Sequence, residues 1–182
     1  MNKALGMVEF KTVSSGMRAA DRMVKTAEVD IIQADTVCPG KYIIIITGDT
    51  GSVKASILAG EMNGGNCVVD KMIIQNVHPQ LIPALSGTAS VTKGDAIGAM
   101  EFYSITSAIK AADVAAKAAQ ISLVGITMGY AVGGKGIVTL TGDVGAVRAA
   151  VAAGIEEAAR MDLYIGSTVI PKYAPELFDS LL

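Results

Sequence analysis

The sequence predicts an α+β fold built from two copies of one unit, each with the element order βαββαβ. One block repeats at an offset of 92 residues from Ala4 onward, with 10 of 24 positions identical, and a second repeats at an offset of 94 residues from Gly40 onward, with 11 of 21 identical. Within each block, stretches with the two-residue period of a strand alternate with stretches at helical spacing. We therefore assign residues 1–90 to a first domain and residues 91–182 to a second.

The sequence pattern of each copy predicts four strands and two long helices. The first copy has strands at about 4–12, 29–37, 41–47 and 67–75, and a helix at 15–28 that Ser14 and Ser15 open. Asp49 caps a second helix that ends near Gly60. The corresponding features of the second copy are Thr106-Ser107, Asp143, Gly154 and a last strand at 163–170. Short helical tails follow at 79–85 and 175–181, and the stretch 78–92 is the linker.

Composition excludes several classes of partner. The formal net charge is −2 and aromatic residues make up 4% of the chain, so we expect no nucleic-acid groove. The strongest apolar run, at residues 42–46, has the length of a strand, so we expect no membrane span. The N-terminus has no signal-peptide pattern. A chain that is 51% hydrophobic builds its cores easily, and the surplus points to buried subunit interfaces.

No motif in the sequence supports catalysis, so we expect that the protein is not an enzyme. The run from Gly129 to Lys135 nearly spells a phosphate-binding loop, but Gly136 replaces the required Ser or Thr and a strand follows where such a loop needs a helix. His78 is the only histidine, so no Ser-His-Asp triad can be argued. Glu9 and Glu101 lie in strands, where lysines are their candidate partners.

Three short segments, each present in both copies, carry a family resemblance. They are Ala4–Phe10 with 96–102, Asp21-x-x-x-Lys25 with Asp113-x-x-x-Lys117, and Thr47-Gly48-Asp49-x-Gly51 with Thr141-Gly142-Asp143-x-Gly145. The order and the residues resemble the bacterial microcompartment shell domain over nearly the whole chain. The resemblance implies tandem ferredoxin-like shell domains, six of which close into a pseudohexameric homotrimer. It also implies other shell proteins as partners and a location in the microcompartment shell, in the cytoplasm.

The same resemblance assigns two kinds of site. It implies that the loops before the third strands line a central pore, with the residues Val37, Cys38, Pro39, Gly40, Tyr130, Ala131, Val132 and Gly133. It implies that Lys25 and Lys117 lie at the edge of the tile, against neighbouring tiles. The alternative for both lysines is an ordinary solvated helix face.

Cys38 is the candidate metal ligand. Its loop resembles more narrowly that of the tandem shell proteins of propanediol-utilisation microcompartments, which carry an iron–sulfur cluster on a pore cysteine. Three copies of Cys38 near a threefold axis would hold one [4Fe–4S] cluster per trimer and leave one iron open. The alternative is a small buried hydrophobe in a turn. Cys67 has no His or Cys at ligand spacing, and we expect a buried core thiol there.

These residues lead to a structural and transport hypothesis. A shell tile whose pore is closed by a cluster would move electrons across the shell or exchange the cluster, with encapsulated redox enzymes as candidate partners. One alternative is a cluster-free tile whose pore conducts small metabolites. Another is a small-molecule regulator built from similar repeats.

Overall fold

The computed structural model describes residues 3–159 and 163–181, and of residues 158 and 159 it describes the backbone. The chain divides into two compact units, Met1–Val77 and His78–Leu182. The first unit has the order βαββαβ. Its elements are β1 (Ala4–Phe10), α1 (Val13–Thr26), β2 (Asp30–Val37), β3 (Lys41–Gly48), α2 (Thr50–Gly64) and β4 (Val68–Ile74), with a 3₁₀ turn at Gly65–Cys67.

The second unit opens with a short helix and then repeats the same order. Its elements are α3 (Leu81–Leu85), β5 (Ala96–Phe102), α4 (Ile105–Ala118), β6 (Ser122–Met128), β7 (Gly136–Gly142), α5 (Val144–Ala159), β8 (Tyr164–Pro171) and α6 (Pro175–Asp179). Each unit has one four-stranded antiparallel sheet, with the strand orders β2-β3-β1-β4 and β6-β7-β5-β8. The predicted fold class is therefore confirmed.

Helices cover one face of each sheet, and glycines allow the close approach. A methyl group on Gly6 of β1 would lie 2.8 Å from side-chain atoms of both Val53 and Ile57 on α2. Gly98 of β5 meets Val147 and Val151 of α5 at 2.9 Å in the same way. The core of the first unit is built from apolar side chains on this face, namely Ala4, Val8, Phe10, Ala19, Met23, Tyr42, Ile44, Ile46, Val53 and Ile57.

The predicted ends of the second helices are wrong. Helix α2 runs on to Gly64 and α5 to Ala159, so Gly60 and Gly154 lie inside the helices. A methyl group on Gly60 would lie 2.5 Å from the sulfur of Met23, and one on Gly154 would lie 2.8 Å from the sulfur of Met100. These glycines serve close packing and do not end a helix.

The predicted starts of the first helices are also wrong by two residues. Helix α1 begins at Val13 and α4 at Ile105, where the hydroxyl of Ser104 accepts a hydrogen bond from Ser107 N–H at 3.4 Å. Ser107 therefore lies inside the first turn of α4 and is not its N-cap residue. The prediction for Asp49 is confirmed, because its carboxylate accepts from the N–H groups of Gly51 and Ser52 at 2.8 and 3.0 Å.

The linker packs on the second unit. The Gln80 side chain donates to Ile121 O at 2.9 Å and accepts from Leu123 N–H at 2.8 Å, so it pairs with the edge of β6 much as a strand would. Leu81 and Leu85 of α3 are buried. Residues 78–90 therefore belong to the second unit, whereas the sequence analysis assigned them to the first domain.

Candidate functional site

Cys38 lies at the tip of the hairpin that joins β2 to β3. Val37 and Lys41 face each other as the last paired residues of the two strands. The N–H of Gly40 donates to Val37 O at 3.0 Å and closes the turn, in which the Cys38–Pro39 peptide bond is cis. Gly40 has φ +90°, in the left-handed region that glycine favours. The backbone thus presents the Cys38 side chain on a tight turn anchored to two strands.

The Cys38 thiol is free and half-buried. Across residues 3–159 and 163–181, no three His, Cys, Asp or Glu side chains gather closely enough to hold a metal ion. One chain therefore offers a single soft sulfur donor at this loop. An iron–sulfur centre on Cys38 would therefore need thiolates from other chains.

The equivalent loop of the second unit is longer and is held by its own backbone hydrogen bonds. The N–H of Gly129 donates to Lys135 O at 2.8 Å, and the N–H of Gly134 donates back to Gly129 O at 3.2 Å. Ala131 and Gly133 have φ values of 59° and 66°. Tyr130 is 75% exposed. Because the loop runs into strand β7, it lacks the helix that a phosphate-binding loop requires.

A Glu–Lys ion pair lies at the base of both loops. Lys41 Nζ is 2.8 Å from Glu9 Oε1, and Lys135 Nζ is 2.8 Å from Glu101 Oε1. The hydrogen bond to Glu101 raises the pKa of Lys135 above its ordinary value. The Glu9 side chain is only 4% exposed, against 36% for Glu101, so the pair beside Cys38 is the more sheltered of the two.

The two motif lysines pair with the aspartates one helical turn before them. Lys25 lies 2.7 Å from Asp21 and Lys117 lies 2.5 Å from Asp113. Their surroundings differ: Asp21 is 54% exposed, whereas Asp113 is 6% exposed and also accepts from the backbone N–H of His78 at 2.8 Å. Both lysines are exposed, at 65% for Lys25 and 40% for Lys117, so the two motifs differ mainly in the burial of the aspartate.

Sequence reasoning did not anticipate some of these contacts. Cys67 is half-buried in the 3₁₀ turn before β4, and the hydroxyl of Ser15 donates to its sulfur at 3.5 Å, so it is less enclosed than the expected core thiol. The contact of Gln80 with β6 could not be predicted from the sequence, because a single glutamine in a linker forms no periodic pattern.

The comparisons with known proteins agree with this architecture. The family model described as the BMC domain matches residues 4–77 and again residues 96–173. The bacterial microcompartment shell protein PduT of Citrobacter freundii is 37% identical over 172 residues, which cover 94% of each chain. The carboxysome shell protein CsoS1A of Hydrogenovibrio crunogenus is 34% identical over 86 residues, covering 46% of this chain and 90% of that protein.

Two solved structures share the fold of this chain. A microcompartment protein from Desulfitobacterium hafniense DCB superposes with a TM-score of 0.94 at 42% identity, covering 98% of this chain and 99% of that one. The fused permuted hexameric shell protein MSM0275 of the RMM microcompartment shares the fold at a TM-score of 0.65 and 23% identity, over 88% and 85% of the two chains. In the part of the chain that the structure describes, no helix is both long and apolar enough to cross a membrane. The chain belongs to the BMC-domain family of bacterial microcompartment shell proteins and carries two copies of the domain.

Proposed function

We propose that this shell protein forms a homotrimeric tile in the microcompartment shell, and that one [4Fe–4S] cluster, held by Cys38 from three chains, closes its central pore. The observation that carries the proposal is a free, half-buried thiol at the tip of the hairpin before β3. In this role the tile transfers electrons, or a cluster, across the shell without opening a path for metabolites.

An open sheet face supports assembly. In the second unit, the face opposite α4 and α5 is partly exposed, with a shallow groove of about 260 Å³ lined by Ala99, Glu101, Ile137 and Thr168. In the first unit, the equivalent face carries Met7, Glu9, Ile43 and Ile45, which are all buried. The open face of the second unit is therefore the surface that we propose packs against another chain in the trimer.

The donor chemistry of the loop fits an iron–sulfur cluster. Thiolates are the usual ligands of such clusters, and each chain contributes one at this loop. Threefold symmetry would bring three thiolates to one place, and the charge of the metal would offset their repulsion. The cluster would supply one-electron chemistry. The protein would supply the position of the sulfurs, their shelter from water and the fixed charges around them.

The experiment is anaerobic reconstitution with iron and sulfide, followed by absorbance and electron paramagnetic resonance spectroscopy. Wild-type protein should be brown, with a broad visible absorbance and an electron paramagnetic resonance signal from the reduced cluster. Cys38→Ala should be colourless. Cys67→Ala is the matched control and should stay brown, because Cys67 lies in the 3₁₀ turn before β4 and outside the hairpin.

Two results would contradict the proposal. A wild-type protein that stays colourless and binds no iron would favour a cluster-free tile whose pore conducts small metabolites. A Cys38→Ala protein that binds as much iron as wild type would move the ligand elsewhere in the chain.

A further inference from the structure

We infer that the Glu9–Lys41 ion pair sets the reduction potential of the cluster, with Glu9 cancelling the positive charge that Lys41 would otherwise direct at the cluster sulfurs. This inference rests on the proposed function. It gives Glu9 and Lys41, at the base of the hairpin, a role in setting the potential of the cluster, whereas Cys38 holds the cluster.

Lys41 is close to Cys38 through the backbone. It is the residue that closes the hairpin, paired with Val37 across the two strands, and Cys38 occupies the first corner of the turn between them. Val37, which pairs with Lys41, is joined directly to Cys38. The backbone of Lys41 is therefore held beside the residue that precedes the thiol by two paired strands and not by a mobile loop.

Glu9 holds the Lys41 ammonium group in place. It lies on β1 opposite Ile43 of β3, and its carboxylate receives the lysine at 2.8 Å. The Glu9 side chain is 4% exposed and the Lys41 side chain 28% exposed. Charges sheltered to this degree are screened far less by water and salt than charges on an open surface, so each one acts over a longer distance.

Two more carboxylates lie on neighbouring strands. Asp70 of β4 faces Glu9 across the sheet, and Asp35 of β2 lies two positions before Val37. Asp35 is exposed to solvent and binds the N–H of Thr36 at 2.6 Å. Among the described groups, Glu9 is the one whose carboxylate contacts Lys41 directly, so it is the group whose removal changes the charge of the hairpin base most.

The test measures midpoint potentials of the reconstituted protein and its variants at one fixed pH. Glu9→Gln keeps the shape of the side chain but removes the negative charge, so the reduced cluster should gain stability and the potential should become more positive. Lys41→Gln should make it more negative. Since three copies act on one cluster, we expect each change to alter the ratio of reduced to oxidised cluster at fixed potential on the order of tenfold.

The two single variants should shift the midpoint potential in opposite directions. This distinguishes a role in tuning the potential from a purely structural role. If the pair only braced the loop, both single variants would loosen it and shift the potential or the iron content in the same direction. The double variant, Glu9→Gln with Lys41→Gln, should return close to the wild-type potential. Lys41→Arg keeps the charge and should also match wild type.

Asp21→Asn on α1 is the control for net charge. It removes the same charge from an exposed ion pair on a helix and should leave the potential unchanged. Equal potentials in wild type, Glu9→Gln and Lys41→Gln, or loss of iron from both single variants, would overturn the inference while leaving the cluster proposal standing. Wild-type protein without iron would overturn the proposed function itself.

Discussion

Gly16 of α1 and Tyr42 of β3 are packed so closely that no side chain fits between them. A methyl group on Gly16 would lie 2.6 Å from Tyr42 Cβ. At the equivalent positions of the second unit the sizes are exchanged: the helix carries Ala108 and the strand carries Gly136, where an added methyl group would clash with the side chain of Ala108. The two copies therefore reach close helix–sheet contact with opposite choices of small residue.

This exchange makes Gly16→Ala a context-dependent substitution. In the wild-type background the added methyl group overpacks against Tyr42 and should lower the free energy of unfolding by about 1–3 kcal/mol. In a Tyr42→Gly background, which copies the pairing of Ala108 with Gly136, the clashing atoms are gone and the better helix propensity of alanine remains, so the same change should raise it by up to about 1 kcal/mol. Chemical denaturation of the four variants measures both values, and equal effects in the two backgrounds would refute the contact.

The cap on α2 predicts a dependence on acid. Hydrogen bonds from the hydroxyl and the N–H of Ser52, together with that from Gly51 N–H, lower the pKa of Asp49 below its ordinary value of 3.8. The carboxylate therefore stabilises the folded state at pH values above about 4, and this contribution is lost as the pH falls through the lowered folded-state pKa. Asp49→Ala should reduce the urea midpoint at pH 7, and the difference from wild type should narrow below pH 4.

Asp49→Asn is the control for the cap, because asparagine retains a side-chain oxygen that can accept the same N–H groups but does not titrate. Its urea midpoint should stay close to that of wild type at pH 7. A difference between Asp49→Ala and wild type that is the same at pH 7 and pH 3 would contradict a role for the charged form.

Lys25 is the better of the two lysines for a test of tiling. Lys25→Asp places a second acidic group one turn from the exposed Asp21, which costs only about a few tenths of a kcal/mol on a helix surface. The trimer should survive, and assembly into sheets seen by electron microscopy should fall. Lys117→Asp is less suitable, because it would also strip the buried Asp113 of its cation.

The exposed Lys54 on α2 provides a matched control for this experiment, since Lys54→Asp changes the net charge by the same amount. Sheets should form normally from that variant. If Lys54→Asp and Lys25→Asp reduce sheet formation equally, the effect is one of net charge, and Lys25 returns to a solvated helix face.

The open face of the sheet in the second unit predicts that a charged substitution there should break the trimer into monomers. Ile137 is partly exposed on that face, opposite Glu101 on the neighbouring strand. Ile137→Asp should leave the fold intact but bury an unpaired charge when chains associate, so sedimentation should detect monomers. Ala149→Asp adds the same charge at an exposed site on α5, outside this groove, and is the control. A stable Ile137→Asp trimer would remove this face from the interface.

Much of the fold could be predicted because the duplication supplies each element twice. The strand and helix order follows from periodicity in both copies, and the cap at Asp49 follows from its residue type. The helix ends could not be predicted from Gly60 and Gly154, because a glycine that ends a helix and one that admits a neighbouring methionine look alike in sequence. The exchange of sizes at Gly16 and Tyr42 becomes visible only when helix and strand are brought together.

The candidate site could be predicted in part. The position of Cys38 before the third strand follows from the repeat, and in the structure Cys38 lies in the turn between β2 and β3; its role as a metal ligand stays a prediction. The pairing of Glu9 with Lys41 could only be suspected, because the two residues are 32 positions apart and no local spacing joins them. The proposed arrangement of Cys38 thiolates about an axis depends on other chains. The sequence of one chain does not give the distance between the cysteines of different chains.

The most direct test of the central claim is native mass spectrometry of the anaerobically reconstituted protein. The account predicts a species of three 18.6 kDa chains carrying one [4Fe–4S] cluster, and trimers of Cys38→Ala without added mass. Trimers that carry no cluster under these conditions, or a cluster bound to a single chain, would contradict it.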